Sequence, residues 1–353
     1  MGYENFGIPV LSAKGKSLAE AWENSMLELY NKGGEARTQY DKPTDRLSKD
    51  ATMMVVVEDP LSEPFVHRAF PGGLDSLEEY RQEVIEGIKN SWCREASNPA
   101  DERWEYTYNE RLFAYAVPLS KITECIAGLS ERGQRKLADN KVRILLKQPW
   151  AKVVDSRVIR YDIDKNGMPV VVGTEHEKTV VINQIEACVD GLIKTPYTRR
   201  VQAITWKPWE DLVVSDPACL QSLWFRILPD KEGKNPKLSM NVRFRSRDAY
   251  DAAFMNMFAF ISLQEDVTKR VSEGRGEQIG VGRYADLSDS YHIYGSRLDH
   301  FEEGFLKLYK ERAFEDRTWT REFVQPIFDE AKPIIAEKVR KKNEEYAAGK
   351  LRK

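Results

Sequence analysis

Apolar residues recur at helical spacing in several stretches of the chain. Over residues 17–30, Leu18, Ala21, Trp22, Met26, Leu29 and Tyr30 form one stripe. Ser17 is placed to cap this helix, Glu20 completes a capping box, and Gly33-Gly34 ends it. Over residues 74–89, after Gly72-Gly73, a second helix turns Leu77, Tyr80, Val84 and Ile88 inward. Helices are also predicted over 184–194, over the long apolar stretch 251–271, and over 319–343, where Pro333 offers a break. Strand-like runs occupy 52–57, stopped by Asp59-Pro60, and 202–206, 220–228 and 237–244. The last two are joined by a polar turn from Pro229 to Pro236. Residues 153–182 read as a strand-rich insertion, with Asn166-Gly167 as a hairpin turn between Val158-Ile159 and residues 170–172.

Strands and helices mix without strict βαβ alternation. That predicts one α+β domain over residues 1–353, with a large mixed β-sheet flanked by helices. Its core spans roughly 40–310, with the insertion at 153–182 and a helix plus charged tail over 319–353. The tail, residues 338–353, reads as solvated.

Composition narrows the function. With 353 residues, 41% hydrophobic and 31% charged, the chain is long enough for a substantial core and is globular in type. A net charge of −2 gives no basic excess for a nucleic-acid polymer, although local arginines can still bind small anions. No run reaches the roughly 18 apolar residues of a membrane helix, and the N-terminus has no signal-peptide pattern. Cys93, Cys125, Cys188 and Cys219 form no CxxC pair, and His67, His176, His292 and His300 lack ligand spacing. Free thiols in a reducing, cytoplasmic compartment are expected, with no metal. The glycines at 274, 276, 280 and 282 do not fit GxGxxG and read as a flexible surface loop.

One ordered set of polar residues carries chemistry. Arg199-Arg200 precede a strand, Asp216-Pro-Ala-Cys219 precede the next, and Arg245-Ser-Arg-Asp248 follow the third. Asn256 sits in the following helix, and Tyr291-His-Ile-Tyr294 close the set. A cysteine attacks as thiolate, which a nearby cation favours, so Arg245 beside Cys219 would lower the thiol pKa. Cys125 and Cys188 read as small core hydrophobes.

The segments TRRVQAITW (198–206), DPACLQSLWF (216–225), RFRSRDAYDAAFMNMFAF (243–260) and YHIYG (291–295) resemble the thymidylate synthase and deoxycytidylate hydroxymethylase family. The spacings from Arg200 to Cys219 and from Arg245 to Asn256 equal the family's. Thr44-Asp-Arg46 is similar to its phosphate loop. Tyr106-Thr-Tyr108-Asn-Glu-Arg111 is similar to its Tyr-Gly segment, nearest the archaeal branch.

The resemblance implies that Cys219 adds to C6 of a pyrimidine, leaving C5 able to take a one-carbon unit from 5,10-methylenetetrahydrofolate or a related pterin. Arg46, Arg199, Arg200 and Arg245 would clamp the phosphate, with Ser246 adding a hydrogen bond. Arg199 and Arg200 would reach the partner's site in a homodimer. Asn256, donor and acceptor together, would select uracil, so dUMP is favoured over dCMP. His292 and Tyr294, two apart on a strand, would share a face and meet the sugar 3′-hydroxyl. Tyr108 would assist removal of the C5 proton, and Asp248 would contact the folate. Arg247, where the family has glycine, reads as a surface charge.

The chain departs from the family at Leu220 (histidine elsewhere), at Phe244 (glutamine elsewhere), and in ending Gly349-Lys-Leu-Arg-Lys353 without a short apolar terminus. The family's catalytic glutamate falls among Glu78, Glu79, Glu83 and Glu86. The expected activity is methylation of dUMP to dTMP. The alternatives are 5-hydroxymethylation of dUMP or a cytidine nucleotide, a nucleotide-binding regulator without turnover, and a cysteine hydrolase with His292 beside Cys219.

Overall fold

The computed structural model describes residues 7–94, 101–119, 142–165, 167–212, 214 and 216–350. In chain order the main elements are β1 (Val10–Gly15), α1 (Leu18–Lys32), β2 (Gly34–Ala36), β3 (Ser48–Val57), β4 (Val66–His67) and α2 (Leu74–Glu86). Then come α3 (Tyr108–Phe113), β5 (Tyr115–Pro118), β6 (Ala151–Ile163), β7 (Pro169–Ile182), α4 (Gln184–Lys194) and β8 (Gln202–Ile204). The rest are β9 (Leu220–Leu228), β10 (Lys237–Phe244), β11 (Arg247–Asp248), α5 (Ala253–Arg275), β12 (Gly280–Ile293), β13 (Thr318–Trp319) and α6 (Arg321–Ala347).

The large sheet has eight strands in the order β1-β3-β12-β10-β9-β8, with β2 beside β3 and β11 beside β12. Pairing is parallel for β1–β3 and β10–β12 and antiparallel for β3–β12, β9–β10 and β8–β9. This is the expected α+β architecture with a mixed sheet. Buried residues of α1 and α5, among them Trp22, Met26, Phe254, Met257 and Ile261, cover it together with strand residues such as Val55, Phe225 and Tyr284.

The local signals explain most boundaries. Ser17 Oγ accepts the Glu20 N–H at 3.3 Å, and the Glu20 carboxylate accepts from Lys16 rather than closing the box on Ser17. Helix α2 stops earlier than expected because Gly87 takes the left-handed conformation (φ 70°) and sends its N–H to Gln82. A Cβ there would also lie 2.4 Å from Asn109 Oδ1. The insertion is a long β6–β7 hairpin, joined on its β7 side by β5. Asn166 itself, like Cys125, lies outside the described residues.

Three expectations are corrected. The glycine-rich stretch is not a surface loop. Gly276 (φ 61°) caps α5, and Gly280 and Gly282 open the central strand β12. A Cβ on Gly282 would come within 3.0 Å of the Leu238 backbone, so glycine lets β12 pass close to β10. Helix α6 is not broken at Pro333. Pro326 and Pro333 both lie on its exposed face, as do Glu322 and Asp329, whose carbonyls lose their partners. The third concerns residues 338–350, which are mostly exposed as expected but continue α6 and are anchored rather than loose. Lys338 bridges Glu79 at 2.6 Å, Asn343 accepts from Ser91 and from the Trp92 indole, and Tyr346 is buried against Trp92.

Candidate active site

The β9–β10 register brings the nucleophile candidate to its arginine. Phe244 pairs with Leu220, and one step on, the Arg245 N–H donates to the Cys219 carbonyl at 2.9 Å. The guanidinium turns back, Nε donating to Ala218 O (3.1 Å) and Nη2 to Pro217 O (2.6 Å). Cys219 is half-buried. Burial pushes its thiol up, Arg245 opposes that, and Asp216 reinforces it. The expectation of a lowered thiol pKa is therefore corrected: Arg245 acts in the expected sense, but in the free chain desolvation outweighs it.

The Cys219 N–H donates to the Tyr106 hydroxyl at 3.3 Å. Tyr106 is linked to Tyr108, whose ring packs on Phe244 and Phe260. Burial holds both phenols far above their ordinary range. From α5, Asn256 Nδ2 donates to the Tyr80 hydroxyl at 2.7 Å. Tyr80 stands one turn before Glu83 on α2. Tyr80, Glu83, Trp104, Tyr106, Tyr108 and Asp216 line a hollow of about 250 Å3.

Among the four candidate glutamates, the hollow separates Glu83 from the rest. Glu78 and Glu86 bond Arg81, and Glu79 bonds Lys338 and Lys89. Glu83 bonds Lys89 at 2.9 Å, whose ammonium also sits over the Trp92 and Trp104 rings. Burial raises the Glu83 carboxyl while Lys89 holds it back. Tyr80 was legible only as an inward helix residue. Its i, i+3 spacing to Glu83 puts both on one face, but the side that α2 presents depends on packing.

His292 and Tyr294 share a face, their rings 4.6 Å apart. Burial lowers the imidazole to about 4 and raises the Tyr294 phenol to about 12, with the Asp248 and Cys219 charges adding to the latter. Asp248 accepts the N–H groups of Tyr250 and Asp251, and burial raises it to about 6. Ser246 lies half-buried beside Arg245. His292 bonds Ser290, and among the described residues no contact joins it to Cys219, so the cysteine-hydrolase expectation has no pair to stand on.

The other arginines are elsewhere in the single chain. Arg46 is held by Asp299 (2.9 Å) and Glu302 (2.8 Å). Arg199 and Arg200 border a separate open hollow of about 800 Å3 along α4 and β8. Arg247 is not a surface charge. It is 3% exposed, pairs with Asp286, and lies over the Phe244 and Tyr291 rings. Among the described residues no group of three or more His, Cys, Asp or Glu could hold a metal, and no helix is long and apolar enough to cross a membrane.

The thymidylate synthase family profile matches residues 132–315, more than half of the chain. The chain belongs to the thymidylate synthase family. A protein of Methanocaldococcus jannaschii named "Putative thymidylate synthase" is 24% identical over 307 residues, 85% of this chain and 99% of that one. One of the same name from Methanosarcina acetivorans is 22% identical over 289 residues, 82% and 92% of the two chains. The solved thermostable thymidylate synthase A of Bacillus subtilis superposes with TM-score 0.46 at 14% identity over 84% of each chain.

Proposed function

We propose that the chain transfers a one-carbon unit to C5 of a pyrimidine nucleotide, with dUMP to dTMP as the leading reaction. The observation that carries this is the placing of Cys219 with Arg245 at its flank and Tyr106 on its N–H, beside a hollow whose Tyr80 holds Asn256. Bonding of Sγ to C6 requires the thiol to release its proton, and the Arg245 guanidinium steadies the resulting anion. Charge then moves toward O4 of the base, where the Asn256 amide offers a hydrogen-bond donor. Tyr108 keeps its proton at neutral pH, so its part is to donate a hydrogen bond. Glu83, the one of the four candidate glutamates on α2 that lines the hollow, is assigned to take the C5 proton.

A reduced folate supplies the one-carbon unit in this reading, and for a methyl product the hydride too. The flat rings of Tyr80, Trp104 and Tyr106 and the carboxylates of Glu83 and Asp216 suit a pterin, which is flat and rich in N–H donors. Asp248 is assigned to the same folate. His292 and Tyr294 are assigned to the sugar. Arg245, Ser246 and Arg46 are assigned to the phosphate, with Arg46 exchanging its two surface carboxylates for it. Arg199 and Arg200 would complete the clamp on the partner of a homodimer. The polar lining of the hollow favours a second reading: water reaching the same carbon would give 5-hydroxymethyl-dUMP.

Incubation with dUMP and methylenetetrahydrofolate, followed by mass analysis of the nucleotide, separates the two products. 5-Fluoro-dUMP with the folate should add covalently to Cys219, and Cys219→Ser should abolish both adduct and turnover. Unchanged dUMP together with an unmodified Cys219 would overturn the proposal.

A further inference from the structure

His292 is 6% exposed, and its Nε2 is a buried atom without a hydrogen-bond partner. Its other ring nitrogen is engaged. Nδ1 lies 3.2 Å from Ser290 Oγ, and that hydroxyl lies 3.0 Å from each carboxylate oxygen of Asp50. A serine hydroxyl has one proton to donate. Burial pushes the Asp50 carboxyl up, while bonds from the Ser290 hydroxyl and the Ala51 backbone hold it back. As the ionised acceptor of the Ser290 hydroxyl at both oxygens, Asp50 takes the Ser290 proton. What faces Nδ1 is then a serine lone pair, and only an N–H can bond to it. The backbone of Ser290 also bonds the ring in the sense that favours a protonated nitrogen. Asp41, the other carboxylate near the ring, is taken by the Thr38 N–H and Ser48 Oγ.

The geometry therefore determines which nitrogen of the neutral ring is bare. We infer that Asp50 and Ser290 are positioning residues that lock His292 as its Nδ1–H tautomer, so that Nε2 is a dedicated acceptor for one hydroxyl donor of the ligand. The 3.2 Å and 3.0 Å contacts form a one-way chain of donors, from the ring to Ser290 to Asp50. Without Ser290 the two neutral tautomers compete, and a ring carrying its proton on Nε2 offers the ligand hydroxyl a donor in place of an acceptor. A nucleotide whose sugar 3′-hydroxyl is free to donate satisfies the bare nitrogen, whereas one lacking that hydroxyl leaves it unpaired. The identity of the hydroxyl rests on the nucleotide reading proposed above; the tautomer does not.

The full-length protein labelled with 15N-histidine tests this, with His292→Gln to assign the resonances. In the ligand-free wild type, His292 should show a protonated Nδ1 and a bare Nε2. Ser290→Ala should give a mixture of tautomers, and Ser290→Thr, which keeps the hydroxyl, should restore the single form. Calorimetric affinity for dUMP should fall about tenfold in Ser290→Ala, while affinity for 2′,3′-dideoxy-UMP stays constant. An Nε2–H ring in the wild type, an unchanged tautomer in Ser290→Ala, or equal weakening for both nucleotides would overturn the inference. A wild type with the Nδ1–H ring that binds neither nucleotide would support the relay and overturn the nucleotide reading instead.

Discussion

Asp248 and His292 stand opposite one another where β11 pairs with β12, and burial drives both toward their neutral forms, the carboxyl up to about 6 and the imidazole down to about 4. The consequences for stability have opposite signs. Between 3.8 and about 6, folded Asp248 keeps a proton that the unfolded chain has released, so its contribution falls as pH rises. Between about 4 and 6.5, the unfolded chain holds the His292 proton that the fold lacks, so that contribution rises with pH. Each amounts to about 3 kcal/mol. Compared with wild type, His292→Gln should lose stability from pH 4 to 6 and Asp248→Asn should gain it. Urea unfolding at the two pH values measures this, and differences that do not change with pH would remove the opposed shifts.

The thiol of Cys219 should alkylate slowly at neutral pH and faster as pH rises, with an apparent pKa above the ordinary 9.0. Arg245→Gln takes away a cation that opposes the rise and two hydrogen bonds to the Pro217 and Ala218 carbonyls. It should move that pKa higher still. Iodoacetamide kinetics with mass mapping of Cys219 read the shift. A lower pKa in Arg245→Gln would contradict the electrostatic account.

Tyr80→Phe removes the acceptor of Asn256 Nδ2 and lets the amide turn. An amide that can turn presents either end to a base, so discrimination should suffer more than folding. Binding of dUMP should weaken about tenfold, with dCMP affected less. Competition between the two nucleotides in calorimetry is the measurement, and an unaltered ratio would dissociate Tyr80 from base choice.

Glu83→Gln should lower product formation by about a hundredfold or more, as expected for loss of a positioned proton acceptor. Glu78→Gln disturbs a buried pair with Arg81 away from the hollow. It should affect the unfolding midpoint more than turnover. Equal losses of turnover in the two variants would leave Glu83 without its distinction.

How far the fold could be read from the sequence depended on how local each cause is. Ser17 and the stripe from Leu18 to Leu29 specify α1 within one segment. The runs 220–228 and 237–244, joined by a polar turn, make an antiparallel pair, and that pairing alone brings Arg245 to Cys219. The period of two in strands puts His292 and Tyr294 on one face. The burial of Arg247 is not legible locally, because its partner, Asp286, arrives on β12 from a separate part of the chain. The pairing of Arg46 with Asp299 and Glu302 is not legible either, because both acids arrive from a distant part of the chain. The choice among four glutamates on α2 needed the hollow itself, and the Asp50–Ser290–His292 chain crosses the β3–β12 pairing, which no single segment contains.

The end of α6 has a consequence for handling the protein. Burial works against ionisation of Glu79, yet Lys338 and Lys89 together keep it below the usual carboxylate range, and Lys89 is the same ammonium that restrains Glu83. Fraying of the last turns, by an affinity tag or a truncation, would leave Lys89 as the only cation among the described residues bonded to these two acids. The tuning of a carboxylate on the hollow would then change without any edit near it. Comparisons of activity should therefore keep the α6 turns around Lys338 intact.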